Sequence, residues 1–242
     1  MTRLLVSVRN RHEANVAAEH GADIVDVKEP THGALGFAGA DLVDDILREL
    51  DGRVPVSAAL GEWREWDGSG PCPVVSGRLA FVKLGLATAA DPLPLDETWQ
   101  DAEARIRLRI SVAARWSDDL RPNWISVAYA DHQAAAAPPP EHVLQQAVHS
   151  GSSGLLVDTF SKDGRNVFQK MDANQLQHLR EECRRHQLLF TLAGQLTLSD
   201  AAQIRELAPD IVGVRGAVCE GEQRTAQISG PKIEQFREAI AG

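Results

Sequence analysis

Cysteine is scarce in this chain of 242 residues, and the spacing of the few present argues against two kinds of site. Cys72, Cys183 and Cys219 lie far apart and are odd in number. This pattern indicates neither a disulfide framework nor a CxxC metal site. The eight histidines show no HxH or HExxH spacing. We therefore predict that the protein has no zinc-type metal site.

Long apolar runs and an excess of positive charge are also missing. No apolar run approaches the ~18 residues of a membrane span, and residues 1–4 lack the apolar core of a signal peptide. The 25 Lys and Arg residues stand against 34 Asp and Glu residues, so the net charge is −9. Such a balance argues against nucleic acid or an anionic membrane as a partner. We expect a cytoplasmic globular protein.

Lysine is the rarer of the two basic residues. Only five of the 25 basic residues are lysines, namely Lys28, Lys83, Lys162, Lys170 and Lys232. A lysine can lose its proton near neutral pH when its surroundings favour the neutral form, whereas an arginine stays charged. In a chain whose coding bias favours arginine, the remaining lysines are therefore the informative cations.

Eight short apolar runs alternate with segments of helical spacing. The apolar runs are near-continuous, as buried parallel strands are. They cover residues 4–8, 23–27, 54–58, 79–83, 124–128, 154–158, 188–192 and 210–214. Helical spacing marks residues 12–20, 40–50, 97–116, 141–149, 172–186, 199–207 and 231–240, with Asp172 placed to cap its helix.

This alternation predicts an α/β protein with a single (β/α)8 TIM-barrel domain over residues 1–242. One crossover is unusual, because residues 61–77 show no amphipathic helical pattern. We expect a loop or a short helical turn there. A doubly wound parallel sheet is the alternative, since a strand count alone does not close a barrel.

Lysines and carboxylates recur where the predicted strands end. In parallel α/β folds these ends carry the reactive groups. Asp26 and Lys28 share one side of the second strand, Lys83 ends the fourth, and Asp158 ends the sixth with Lys162 close behind. Burial and nearby cations lower the pKa of a lysine, and its neutral amine can form an imine with a carbonyl compound. Carboxylates beside it could move protons or hold the ammonium group.

The roles of the two strand-end lysines stay open at this point. Either Lys28 or Lys83 could be the nucleophile, with the other as a cation or proton carrier. The alternative is a purely structural network of lysines and aspartates in the barrel core. Perturbed groups cluster at functional sites, which favours the catalytic interpretation of the whole set.

Glycine turns after the last two predicted strands indicate a phosphate site. Gly194 follows the seventh strand, and Arg215 and Gly216 follow the eighth. Barrels commonly bind phosphate at this place through backbone N–H groups, which glycine allows the ligand to approach closely. Arg215 is expected to add a charged pair of donors.

Several short motifs stand at these strand ends in a specific order. They are GADIVDVKEP (21–30), GALG (33–36), VKLGL (82–86), AYAD (128–131), DT (158–159), KDG (162–164), LAG (192–194) and DIVGVRGAVC (210–219). Together they span nearly the whole chain. The set resembles the (5-formylfuran-3-yl)methyl phosphate synthase family of the methanofuran pathway, also called 4-(hydroxymethyl)-2-furancarboxaldehyde-phosphate synthase. Residues 61–77 depart from the family pattern.

The resemblance implies a TIM-barrel lyase that condenses two molecules of glyceraldehyde 3-phosphate with loss of phosphate and water. By the matched motifs, Lys28 corresponds to the Schiff-base lysine and Lys83 to the proton acceptor. Asp26, Asp158 and Lys162 match further active-site positions. No metal or redox cofactor is implied. The expected partner is a small phosphorylated aldehyde, and a homo-oligomer is the expected assembly.

Two other functions are compatible with the same residues. One is a different Schiff-base aldolase that acts on another phosphorylated aldehyde or ketone. The other is a sugar-phosphate sensor that keeps the barrel and has no activity. Trapping with borohydride separates the sensor from both enzymes, because only an imine can be reduced to a stable adduct.

Overall fold

The computed structural model describes residues 1–66, 72, 75–89, 98–117 and 121–241. These residues form eight β-strands, β1 (Arg3–Val8), β2 (Ile24–Val27), β3 (Val56–Glu62), β4 (Phe81–Gly85), β5 (Asn123–Tyr129), β6 (Gly154–Asp158), β7 (Leu189–Leu192) and β8 (Ile211–Val214). The α-helices of the same residues are α1 (Arg11–Glu19), α2 (Ala40–Leu50), α3 (Trp99–Ala113), α4 (Pro140–His149), α5 (Val167–Lys170), α6 (Ala173–Arg185), α7 (Ala201–Leu207) and α8 (Gly230–Ala241).

The eight strands form one closed parallel barrel in chain order. Closure comes from β1, which pairs with β2 on one side and with β8 on the other. The predicted (β/α)8 barrel is therefore confirmed. A doubly wound sheet is excluded, because such a sheet has two open edges.

Local sequence signals set the helix boundaries. Asp172 caps α6 as predicted, since its side chain accepts a hydrogen bond from the backbone N–H of Asn174. The amphipathic stripe of α2 is buried against the barrel, with Val43 and Ile46 fully covered. No helix in the described ranges is long and apolar enough to cross a membrane. The short helix α5 was not predicted; at four residues it is too short to show a periodic pattern.

The third crossover begins with a turn rather than an α-helix. Strand β3 runs on to Glu62, beyond its predicted end at residue 58, and a 3₁₀ turn follows at Trp63–Trp66. Trp63 is buried there, and its Nε1 donates to the carbonyl oxygen of Ala87 at 2.8 Å. Within the described part of residues 61–77 the expected loop and short turn are confirmed. Residues 67–71 and 73–74 lie outside the described residues, as does Glu97, the predicted start of α3.

The barrel interior is layered, with an apolar floor and a polar layer above it. Leu5, Ile24 and Ile211 form the buried floor. One inward position further along the strands, Ser7 of β1 is in register with Asp26 of β2, and Asp26 is in register with Ser57 of β3. Residues in register on parallel strands point the same way. This arrangement places the polar groups toward the carboxyl ends.

Candidate functional site

A cavity of about 270 Å³ opens at the carboxyl ends of the strands, above the apolar floor. The three lysines and two aspartates predicted as catalytic all line it, namely Asp26, Lys28, Lys83, Asp158 and Lys162. They come from three strands and the segments that directly follow them. Closing the barrel is what brings these distant parts of the chain to one place.

Asp26 and Lys83 form a buried ion pair on one side of this cavity. Lys83 Nζ donates to Asp26 Oδ1 and lies 3.3 Å from Ser57 Oγ. Asp26 also accepts hydrogen bonds from Ser57 Oγ at 2.5 Å and from Ser7 Oγ at 3.2 Å. Burial by itself raises the pKa of Asp26. The charges of Lys83 and Lys28 and these hydrogen bonds outweigh it, so the pKa stays below its ordinary value.

Asp158 and Lys162 form a second pair on another side of the cavity. Lys162 Nζ donates to Asp158 Oδ1 at 3.1 Å and to the carbonyl oxygen of Thr159 at 2.5 Å. The N–H of Thr159 donates to the same carboxylate at 2.7 Å. Burial raises the pKa of Asp158, but the charges of Lys162 and Lys28 lower it by more, so this carboxyl is also ionised.

Lys28 directly follows β2, and the charges of both pairs act on its amine. Its side chain is half-buried, and its Nζ is 3.5 Å from the carbonyl oxygen of Ala34. Burial lowers the pKa of Lys28 to about 8, although Asp158 and Asp26 act in the opposite direction. The charges of Lys162 and Lys83 add to the lowering. A substantial fraction of this amine is therefore neutral at mildly alkaline pH, and a neutral amine is a nucleophile.

The predicted role of Arg215 as a donor to phosphate is wrong. Its guanidinium donates through Nε to the carbonyl of Arg224 and through Nη1 to the carbonyl of Ser7 and to Glu13 Oε2. Its Nη2 donates to Glu13 Oε1 and to the carbonyl of Ala226. These five bonds use all five N–H groups of the guanidinium. Arg215 therefore has no N–H group left for phosphate, because the buried carboxylate of Glu13 and three backbone carbonyls already accept all five.

The two predicted phosphate-site glycines both line the cavity. Gly194 has a φ of 109°, and a Cβ there would lie 2.8 Å from Thr159 Cγ2. Both facts require glycine at this turn. Gly216 begins a short 3₁₀ turn, Gly216–Val218. Their role in phosphate binding stays a prediction.

Arg224 is a cavity residue that the sequence pattern did not single out. It lies in the segment between β8 and α8, lines the cavity and is half-buried. Its Nη2 donates to the carbonyl oxygen of Gly33 at 2.9 Å. Burial lowers its pKa. Short turns separate Arg224 from the end of β8, so no strand periodicity could have placed it.

The hydrogen-bonded pair of Glu62 and Tyr129 was also not predicted from the sequence. Tyr129 Oη donates to Glu62 Oε1 at 2.5 Å, and the N–H of Ala87 donates to Oε2 at 2.9 Å. Burial raises the pKa of Glu62 and raises that of Tyr129 well above its ordinary value. A side chain at Gly85 would overlap the Glu62 carboxylate. The glycine in the VKLGL motif was the available signal.

Asp131 fixes the loop that carries Lys162 by hydrogen bonds to the backbone of that loop. This carboxylate accepts the N–H groups of Phe160 and Ser161 at 2.7 and 2.9 Å. Lys170 Nζ donates to it at 2.8 Å and to the carbonyl of Ser161 at 3.0 Å. Asp131 therefore positions the loop, although it does not itself line the cavity.

The fold and site together define a (β/α)8-barrel protein with a lysine–carboxylate site at the carboxyl ends of its strands. Across the described ranges, no group of three or more His, Cys, Asp or Glu side chains is arranged to hold a metal ion. The 3-hexulose-6-phosphate synthase of Salmonella typhimurium has a similar fold, with a TM-score of 0.60, 14% identity and 99% of both chains covered. KGPDC of Streptococcus mutans also has a TM-score of 0.60, at 14% identity over 99% of this chain and 97% of its own. At such identities the likeness concerns the fold alone.

Sequence comparison identifies the family. The model of the 4-HFC-P synthase family matches residues 4–237, so the chain belongs to that family. The (5-formylfuran-3-yl)methyl phosphate synthase of Methanosarcina acetivorans is 31% identical over 227 residues, covering 93% of each chain. The enzyme of that name in Methanopyrus kandleri is 31% identical over 240 residues, covering 99% of each chain. The resemblance of the motifs is thereby confirmed at the level of the family.

Proposed function

We propose that this protein condenses two molecules of glyceraldehyde 3-phosphate into (5-formylfuran-3-yl)methyl phosphate, with Lys28 as the covalent catalyst. The observation that carries the proposal is the Lys28 amine, with its pKa lowered to about 8, in one cavity with two lysine–carboxylate pairs. Membership of the synthase family supports the identity of the product. The enzyme would be a lyase that forms a Schiff base.

The first step is imine formation. The neutral Nζ of Lys28 attacks the aldehyde carbon, a C–N bond forms, and the carbonyl oxygen leaves as water. The imine makes the adjacent carbon acidic. The buried pair of Lys83 and Asp26 takes up the proton from that carbon, and the ionised Asp26 carboxylate is the group of the pair that can accept it.

The enamine then attacks the aldehyde carbon of a second molecule, which forms the C–C bond. Lys162 would give protons to the oxygens that leave in the elimination of phosphate and in ring closure, and its contact with Asp158 supports this role. Hydrolysis of the Lys28 imine at the end breaks the C–N bond, takes up one water and frees the aldehyde of the product. In total, two triose phosphates therefore lose one phosphate and two waters. The carbon skeleton needs no external oxidant or reductant for this balance.

We also propose a place for this reaction in the cell. The product would serve the biosynthesis of methanofuran or a related one-carbon cofactor. The cytoplasm is the proposed compartment, because Cys72, Cys183 and Cys219 are free thiols, which a reducing compartment preserves.

Incubation of the purified chain with glyceraldehyde 3-phosphate alone tests the function. A furan absorbs in the near ultraviolet and an ordinary aldol adduct does not, so absorbance and mass spectrometry of the product decide between them. A phosphorylated furan aldehyde is the expected product. An aldol adduct without furan absorbance would identify another Schiff-base aldolase. Absence of turnover together with absence of a borohydride-trapped adduct would leave a sensor.

A further inference from the structure

Residues 224–226, here called the strap, are held by two arginines. Arg215 donates to the carbonyl oxygens of Arg224 and Ala226 at 2.8 and 2.9 Å. Arg9 Nη1 donates to the carbonyl oxygen between them, that of Thr225, at 2.8 Å. Three consecutive carbonyl groups thus accept charged donors, which make stronger hydrogen bonds than neutral ones.

Both arginines are themselves anchored to the barrel. Arg215 pairs with Glu13 of α1, and the two side chains are only 5% and 3% exposed. Arg9 Nε donates to Glu29 Oε2 at 3.0 Å, in the segment after β2. The strap is therefore attached to the loops that follow β1 and β2. A group carried on a fixed segment loses little conformational entropy when it binds a ligand.

The side chain of Arg224 lines the cavity and reaches from the strap to the segment that follows β2. Its Nη2 meets the carbonyl oxygen of Gly33, and the next carbonyl, that of Ala34, is the one near Lys28 Nζ. The guanidinium and the amine thus contact neighbouring peptide groups of one loop. Within the described ranges, the carbonyl oxygen of Gly33 is the one protein acceptor of this guanidinium. The remaining N–H groups of Arg224 can therefore donate to a ligand.

The charge of this guanidinium suits an anionic ligand. Arg224 is half-buried, and the loss of water around its charge lowers its pKa. A phosphate ester compensates such a charge and can accept two parallel N–H groups from the planar guanidinium. Arg215 cannot do this, because its five N–H groups are already taken.

We propose that Arg224 recognises the phosphate group of the aldehyde substrate at the cavity mouth, and that Arg9 and Arg215 position it there through the strap. The site would thereby select phosphorylated aldehydes over their unphosphorylated forms. The aldehyde part of this inference rests on the proposed function. The recognition of phosphate does not, and it can be measured without turnover.

The experiment compares phosphate binding in wild type, Arg224→Ala and Arg224→Lys. Inorganic phosphate and glycerol 3-phosphate are titrated by calorimetry at fixed ionic strength. Arg224→Ala is expected to weaken binding of both by about tenfold or more, and Arg224→Lys, which keeps a point charge without the planar pair of donors, by less. Arg11→Ala is the matched control, because Arg11 is an exposed arginine at the start of α1 that does not line the cavity. Its affinity is expected to equal that of wild type.

A double-mutant cycle tests the positioning role of Arg9. Arg9→Ala releases the Thr225 carbonyl and is expected to weaken phosphate binding severalfold in the wild-type background. In the Arg224→Ala background the same change should have no further effect, and Arg9→Lys should restore part of the affinity. A structural role for Arg9 that is unrelated to Arg224 would lower affinity equally in both backgrounds.

The outcomes separate this inference from the proposed function. If no furan forms but phosphate affinity depends on Arg224, the proposed function fails and the recognition of phosphate stands. If furan forms while Arg224→Ala binds phosphate within twofold of wild type, the function stands and this inference is overturned. Absence of phosphate binding by the wild type would also overturn it.

Discussion

Lys83 Nζ and Asp26 Oδ1 form an ion pair inside the barrel, where their side chains are only 6% and 2% exposed. A charge that loses its partner in such a place costs far more than the pair contributes. The pair is therefore both part of the proposed chemistry and a condition for a stable barrel. Its two roles can be separated by substitution.

Asp26→Asn is expected to destabilise the protein by about 3–5 kcal/mol, because it leaves the Lys83 ammonium buried without a counter-charge. Urea unfolding measures this loss. The double variant Asp26→Asn with Lys83→Met removes both charges and should recover much of the stability. It should remain inactive, because the proposed proton acceptor is gone. Recovery of activity in the double variant would contradict the proposed role of the pair.

Lys28 should give the rate a pH dependence of known direction. The pKa falls from 10.5 to about 8, so at pH 7 the neutral fraction of the amine is about 300 times that of an ordinary lysine. The neutral amine is the reactive form, so the rate of imine formation should rise with pH through about 8 and level off above it. Borohydride trapping at a series of pH values measures this rise.

Lys28→Arg keeps the positive charge and removes the nucleophile. It should abolish trapping and turnover while the unfolding transition stays cooperative. Lys232→Arg is the matched control, because Lys232 bonds to the carbonyl of Cys219 and does not line the cavity. A trapped adduct in the Lys28→Arg variant would assign the imine to another lysine.

Asp131→Asn should lower kcat by about tenfold, because a shift of the Lys162 loop of even 1 Å misplaces the proposed proton donor. An amide in this place cannot accept both backbone N–H groups and Lys170 as a carboxylate does. Asp163→Asn is the control, since Asp163 also contacts Lys170, at 3.2 Å, but is 36% exposed. Its effect should be smaller. Equal effects would place the cause in the charge of Lys170 rather than in the loop.

Asp131 should also contribute to stability in a pH-dependent way. Burial raises its pKa, but Lys170 and the backbone N–H groups outweigh burial and lower it from 3.8 to about 2. A lowered folded-state pKa means that the contribution is present above about pH 4 and is lost as the pH falls toward 2. Chemical unfolding of wild type and Asp131→Asn across this range should give converging free energies of unfolding at the acidic end.

Gly85→Ala should destabilise the protein by about 1–3 kcal/mol, because the added methyl group overlaps the Glu62 carboxylate and breaks its contact with Tyr129. Gly213→Ala is the matched control on another strand. Its Cβ would lie 3.4 Å from Ala193 Cβ, which is an ordinary contact. Thermal unfolding compares the two. Equal stability of the two variants would show that Glu62 moves aside without cost.

Much of the fold was predictable because its signals are local. Apolar runs of strand length marked all eight strands, and Asp172 showed its helix start by residue type and position alone. The alternation of side chains along a strand also predicted that Asp26 of β2 and Lys28, which directly follows it, lie on one side, and both line the cavity. The turn that follows β3 was predictable for the same reason, since a missing amphipathic pattern is itself local.

The hydrogen-bond partners of Arg215 could not be predicted from the residues around it in the sequence. From the sequence, an arginine after the eighth strand predicts a phosphate ligand. In the structure its main partner is Glu13, 202 positions away, whose burial could not be inferred from its neighbours. Arg224 was missed for the same reason, because the strap that carries it is held by Arg9 and Arg215 from distant parts of the chain.

The sequence by itself determined the elements of this protein, their order and the residue types at the strand ends, since these depend on periodicity and on neighbours along the chain. Only the tertiary structure decided which charges face one another. Barrel closure sets those distances, and at such distances burial and a partner's charge decide whether a lysine is reactive, a carboxylate is ionised or an arginine still has donors for a ligand.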